Sequence, residues 1–336
     1  MLETPMRVLV TGGSGHLGAN LVRRLLVEGQ EVRALERRGS TGEALAGLGV
    51  EVAWGDLRDA AAVRAAVHGC RRVYHCAAKV SSAEGQHREI YASNVLGTRH
   101  LLRAALDEGV ERVVVTGSFS AVGHDPGRPS DESVPVDPFG RLLPYQRSKV
   151  AVEHECLKAV VDGLDVVIAT SCAILGPHDY KPSRMGQLLL DFARGRLRAY
   201  VPGGFEFVAT RDIVQGHRLA MDKGRSGQKY IFSTAFKTVD ELMTIYERVT
   251  GRRRPRLCLP GPVMSGLAAV VNVFVMRFAP DLEPRFTPGA VRILRMHRRA
   301  DITKARTELG YQPSSIEAAV HEAYEDFVRR GALRPA

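Results

Sequence analysis

Tyr145 and Lys149, with three residues between them in Pro144-Tyr145-Gln146-Arg147-Ser148-Lys149, set a phenol and an ammonium one helical turn apart. A phenol is a poor acid near neutrality, its ordinary pKa being roughly 10, and a nearby positive charge favours the phenolate. Such a pair can trade protons with an alcohol or a ketone. The same spacing also occurs on ordinary exposed helix faces, so other residues must decide between the two readings. Ser118, in Thr116-Gly117-Ser118-Phe119-Ser120 at the end of an apolar run, offers a hydroxyl that can bind the reacting oxygen while Tyr145 gives or takes its proton. Lys149 would then lower the tyrosine pKa. Asn94 opens Asn94-Val95-Leu96-Gly97-Thr98 within a long helical run. It would bind a water or a backbone carbonyl that orients the lysine, or else bond locally inside its own helix.

These groups need a scaffold and a nucleotide site. Residues 7–11 form a short apolar run, Gly12-Gly13-Ser14-Gly15-His16-Leu17-Gly18 follows at once, and an amphipathic run covers 19–28. Strand, glycine turn and helix in that order suit a pyrophosphate: Gly12 permits the turn, Gly15 the close backbone approach, Gly18 the helix packing, and the helix start supplies N–H donors. A second strand over 31–35 ends at Glu36, near the offset at which an acid meets an adenosine ribose, which argues for NAD. Arg37 and Arg38 follow directly, and guanidinium groups there suit the 2′-phosphate of NADP. Asp56, in Gly55-Asp56-Leu57 after the strand expected at 51–54, either accepts from the adenine amino group or caps the helix beginning near Asp59.

Further strands are expected near 72–76, 111–116 and 164–169, with helical patterns between them. Alternation of this kind makes a doubly wound parallel sheet of Rossmann type, whose ligands sit outside the carboxyl ends of the strands. Gly12, Glu36, Asp56, residues 75–78 and residues 116–118 all fall at such ends. The rhythm changes after residue 170. The expected division is therefore a dinucleotide-binding region over 1–170 that carries the catalytic residues and a mainly substrate-binding lid over 171–336, from which a strand at 228–233 rejoins the sheet.

Composition narrows the class. The chain has 336 residues, 45% hydrophobic and 25% charged, with five scattered cysteines and a net charge of +10. The cysteines read as reduced core thiols, and none pairs with histidine at metal-ligand spacing, so no metal is expected. The basic clusters at 252–256 and 297–299 lack aromatic interleaving and read as solvated surface, not as a nucleic-acid site. The longest apolar stretch, 262–279, is broken by Ser265, Asn272 and Arg277 and is shorter than the roughly 20 residues of a membrane span. It would wall an apolar pocket, rest on a membrane surface, or be a core helix. A cytoplasmic protein is expected, with peripheral membrane contact as the alternative.

With the glycine turn, Tyr74-His75-Cys76-Ala77-Ala78, Asn94 to Thr98, Ser118 and Tyr145-x-x-x-Lys149 in hand, the chain resembles an extended short-chain dehydrogenase/reductase of the NAD-dependent epimerase/dehydratase family. It is most similar to dihydroflavonol-4-reductase-like and 3β-hydroxysteroid-dehydrogenase-like members. The likeness continues through residues 208–214, 227–231 and 301–311. It implies an oxidoreductase with Tyr145 as acid or base and Ser118 as oxyanion partner. It also implies NAD or NADP held by Gly12, Gly15, His16, Leu17, Gly18, Glu36, Arg37, Asp56, Leu57, Ala77, Ala78, Tyr145 and Lys149, and a homodimer built on the helices after Asn94 and around Tyr145. Two departures stand out. Gly117 occupies a position where relatives often carry serine, which makes Ser120 a substitute for Ser118, and Ser171 replaces a usual proline. A nucleotide-sugar epimerase or dehydratase that keeps its NAD is the competing outcome, although 119–123 lacks the Asp-Glu pair of the dehydratases.

Overall fold

The computed structural model describes residues 7–40, 42–81, 86–137, 139–140, 142–259 and 288–334; the apolar stretch 262–279 lies outside them. Short runs of valine, leucine and isoleucine make the central strands: β1 (Arg7–Thr11), β2 (Glu31–Glu36), β3 (Glu51–Trp54), β4 (Arg72–His75), β5 (Arg112–Ser118) and β6 (Val166–Ser171). Branched side chains pack well on a pleated surface buried from both sides. Along β1, Val8 and Val10 enter one core and Leu9 the other; along β5, Val114 enters the first, and Val113 and Val115 the second. The sheet has seven strands in the order β10-β6-β5-β4-β1-β2-β3, where β10 is Lys229–Phe232, and every pair is parallel. The expected return of segment 228–233 is this last strand.

Helices α1 (His16–Val27) and α7 (Thr210–Lys223) cover one face, while α2 (Ala60–Val67), α4 (Gly97–Asp107) and α5 (Pro144–Val161) cover the other. The short α3 (His87–Tyr91) runs through a π-helical turn, Ala92–Leu96, into α4. Strand order reverses between β1 and β4, so their carboxyl ends diverge and leave a crevice. Gly12 and residues 76–78 flank it.

The rest of the chain builds a second layer beyond these strand ends. Strands β7 (Ala173–Leu175), β9 (Gly204–Ala209) and β11 (Ala235–Thr238) form a three-stranded sheet, and β8 (Ala199–Tyr200) pairs with β12 (Leu257–Cys258). Leu189, Leu190 and Phe192 of α6 (Arg184–Ala193) meet Met243 and Tyr246 of α8 (Val239–Thr250) in a separate core, each large side chain contributing roughly 1.5–3 kcal/mol by burial. Helices α9 (Pro288–Arg295), α10 (Thr303–Leu309) and α11 (Ile316–Arg329) complete the described residues, with Phe327 of α11 in the same core. Among the described residues no helix is long and apolar enough to cross a membrane.

Candidate functional site

The glycine turn is built by backbone contact. Gly12 has φ of +71°, and a Cβ there would lie 2.8 Å from the Ala77 Cα; a Cβ at Gly18 would lie 2.0 Å from the Gly12 carbonyl oxygen. Only glycine fits either place. Gly15 opens α1 with no side chain capping the helix and no acid in its first turn, leaving the N–H groups of that end, those of His16 and Leu17 among them, without a partner inside the helix. Such a terminus favours an anion. It borders a cavity of about 370 Å³ lined by Gly12, Ser14, Gly15, Glu36, Arg37, Asp56, Leu57, Ala77 and Ala78. A dinucleotide fits this donor set.

Within that cavity several side chains differ from expectation. Glu36 is buried and accepts from the Ser14 N–H at 2.7 Å and the Ser14 hydroxyl at 2.6 Å, so the acid is locked to the turn. Asp56 does not cap α2: Asp59 does, accepting from the N–H groups of Ala61 and Ala62. Asp56 instead forms a two-point pair with Arg58, whose guanidinium holds the carboxyl below its ordinary pKa. The His16 ring turns away, its Nε2 lying 3.2 Å from the Gly176 carbonyl and 3.1 Å from that of Pro177. Its neighbour Leu17 is buried in the core, so any contact by these two residues is through backbone N–H groups.

The candidate proton-transfer residues come from β5 and α5. Pro144 occupies the first turn of α5, where its missing N–H costs nothing, and Tyr145 therefore stands at the helix start, level with the end of β5. Ser118 Oγ lies 2.8 Å from Ser120 Oγ. Burial raises the Tyr145 phenol above its ordinary pKa, and a hydrogen bond to Ser118 opposes the rise. The lowering expected from Lys149 is thus replaced in this state by a burial effect of opposite sign. Lys149 itself is buried, donates to the Thr116 carbonyl at 2.8 Å and is pulled by burial from 10.5 to about 8, equivalent to roughly 3 kcal/mol against its charged form. His75 and His217, buried near the same ammonium, are pushed down to about 3 and about 4 and so stay neutral.

Asn94 lies in the π-helical turn, not in a regular helix, and is buried. Its Oδ1 accepts from the Lys79 N–H at 2.7 Å, and its Nδ2 donates to the Lys79 carbonyl and to Ser148 Oγ, both at 3.0 Å. Ser148 in turn donates to the Tyr145 carbonyl at 2.7 Å. Asn94 therefore joins the Ala78–Lys79 edge of the crevice to the first turn of α5, while the carbonyl that orients Lys149 belongs to Thr116. π-turns of this kind recur at functional positions.

Ser118, Ser120 and Tyr145 face a cavity of about 270 Å³ that also receives Cys172, Phe205, Glu206 and Arg298. Arg298 corrects the reading of 297–299 as wholly solvated: its guanidinium donates to the carbonyls of Phe119, Val122 and Gly123 and lies 4.6 Å from the centre of the Phe119 ring. Phe205 also lines a second, larger chamber of about 450 Å³ with Leu188, Tyr200, Val201, Met243 and Leu294. None of the chamber residues carries a sequence signal, because they are scattered over more than a hundred positions and meet only in the fold. Arg298 was detectable only as part of a basic cluster.

A doubly wound sheet with a glycine cradle, a crevice at its switch point and a Ser-Tyr-Lys set at the adjoining strand end defines a dinucleotide-dependent α/β enzyme. Residues 8–233 match the NAD dependent epimerase/dehydratase family, and the chain belongs to that family as an NAD-dependent dehydrogenase/reductase of the extended short-chain type. It is 45% identical over 328 residues to sterol demethylase protein B of Methylococcus capsulatus, covering 98% of this chain and 100% of that protein. It is 32% identical to a 3 beta-hydroxysteroid dehydrogenase/Delta 5-->4-isomerase of Mycobacterium tuberculosis, covering 91% and 86% respectively. The crystal structure of gox2253 superposes with a TM-score of 0.85 at 32% identity, covering 97% of this chain and 99% of that one.

Proposed function

We propose that the enzyme moves a hydride between NAD(P) and a secondary alcohol or ketone of an apolar, steroid-, flavonoid- or lipid-like substrate. The observation that carries this reading is the adjacency of two cavities, the polar one around Tyr145 and an apolar chamber, with Phe205 lining both. A carbinol or carbonyl can enter the first while a hydrocarbon body fills the second, where burial favours binding by about 25 cal/mol per Å². The sterol-linked names of the relatives agree with such a partition. When bound, the dinucleotide supplies or accepts the hydride at its nicotinamide. Tyr145 passes the proton to or from the substrate oxygen, Ser118 holds that oxygen, Ser120 orients Ser118, and Lys149 binds the ribose from its seat on Thr116. Asn94 is a positioning residue acting through Ser148. The same reading includes a homodimer through α4 and α5, where Leu157 and Val161 are exposed; a sedimentation coefficient distinguishes it from a monomer.

For the nucleotide-sugar alternative a diphosphate needs cations. Arg211 pairs with Glu322 on a different groove, and Arg298 is already committed to three carbonyls. The deciding experiment follows NADH formation with 3-hydroxysteroids, other apolar carbinols and nucleotide sugars. Net NADH with the apolar alcohols alone is expected, and Leu188→Gln should raise their KM about tenfold. Turnover of a nucleotide sugar on retained NAD without net NADH would defeat the proposal.

NAD is the favoured cofactor, because a 2′-phosphate would meet the Glu36 carboxylate fixed by Ser14. Glu36→Gln keeps the hydrogen-bonding shape, removes the charge and leaves Arg37 on the cavity wall. It should shift the ratio of NADP to NAD affinity about tenfold towards NADP, roughly 1.4 kcal/mol. Calorimetric titration with both cofactors checks this, and an unmoved ratio would remove Glu36 as the discriminator.

A further inference from the structure

The dinucleotide cavity has a wall that belongs to neither the glycine turn nor the strand ends. Segment 176–183 leaves β7 and crosses over α1, and Lys181 from this segment lines the cavity together with Gly12, Ser14 and Gly15. Its placement is fixed from both sides. Asn20 Nδ2 donates to the Pro177 carbonyl at 2.8 Å, alongside the His16 contacts to residues 176 and 177. The His178 N–H donates to the buried Asp326 at 2.9 Å, and Asp179, also buried, accepts from the Ser183 N–H at 2.8 Å. Arg23 donates to the Tyr180 hydroxyl at 2.7 Å, and the Arg330 guanidinium lies 4.6 Å from the centre of the Tyr180 ring. Residues on both sides of Lys181 are therefore anchored, four of the contacts running to α1 itself, whose N-terminus borders the same cavity.

The charges around this cavity are mostly committed. Lys79 pairs with Glu89, Asp56 with Arg58, and Glu36 accepts from Ser14. Lys181 has no acidic partner among the described residues. An unspent ammonium on the wall of a cavity that an uncapped helix start also borders is matched by a phosphate, to which lysine binds as a point charge. We infer that Lys181 binds the diphosphate of the dinucleotide, closing the cavity opposite the glycine turn. This rests on the dinucleotide part of the functional reading above.

The test is calorimetric binding of NADH and ADP-ribose, with adenosine as a competitor lacking phosphate, to the full-length wild type, Lys181→Gln and Lys181→Arg. Lys181→Gln should weaken NADH and ADP-ribose about tenfold, leave adenosine unchanged and flatten the salt dependence, because one ionic contact is gone. Lys181→Arg should retain most of the affinity. Unchanged binding of ADP-ribose by Lys181→Gln, or an equal loss with adenosine, would overturn the inference. A wild type that binds no dinucleotide would instead overturn the functional reading on which it rests.

Discussion

Tyr145→Phe should cut turnover by roughly 10²–10⁴-fold, the range typical of a general acid or base, while NADH affinity stays within about twofold. The phenyl ring keeps the packing at the start of α5 and removes only the hydroxyl, so the fold has little reason to respond. Single-turnover hydride transfer separates this from a binding defect, because the variant should saturate with cofactor and then fail at the chemical step. The pH profile carries a second signature. Burial holds the free enzyme's phenol above its ordinary pKa, so oxidation, which needs a proton acceptor, should rise toward alkaline pH in the wild type and lose that rise in the variant. Full turnover by Tyr145→Phe would remove the phenol from the mechanism.

Lys149→Met should separate stability from activity. Loss of the ammonium should lower turnover by at least about 10²-fold and weaken the cofactor, yet the variant should melt a few degrees higher at pH 7. The sign follows from linkage: the folded-state pKa is about 8 against 10.5 ordinarily, so the unfolded chain binds the proton more tightly between those values. Below pH 8 the wild type carries the whole penalty, roughly 3 kcal/mol, partly offset by the hydrogen bond to Thr116. As pH rises from 8 to 10.5 the penalty disappears, and the difference in melting temperature between variant and wild type should shrink across that window. A constant difference would mean that the buried ammonium bears no such cost.

The parts of the site that were legible in the sequence are those whose requirement is local. Gly12 and Gly18 announce themselves because the turn tolerates no Cβ, and Tyr145 and Lys149 because one helical turn brings them together. Boundaries were less legible. The fifth strand runs through Gly117 and Ser118 instead of ending at 116, because Gly117 still pairs with Thr170 and its missing Cβ makes room for Ile168, which would lie 2.8 Å from one. The same crowding accounts for glycine where a serine was the comparison. Asn94 was found by type, but its grip on Lys79 depends on a π-turn that periodicity does not reveal. The apolar chamber was illegible because Leu188, Phe205, Met243 and Leu294 come from four separate elements.

Lys181 lines the cavity beside the glycine turn, and Pro182, the next residue, lines the apolar chamber. One peptide bond thus borders both cavities, and the proline ring limits how independently its two sides can turn. A coupling between ligands of the two cavities, if it passes through this backbone, must be equal in both directions. On the proposed reading, the residue that would meet the nucleotide and the residue that would meet the substrate are thus joined by a single link of the chain.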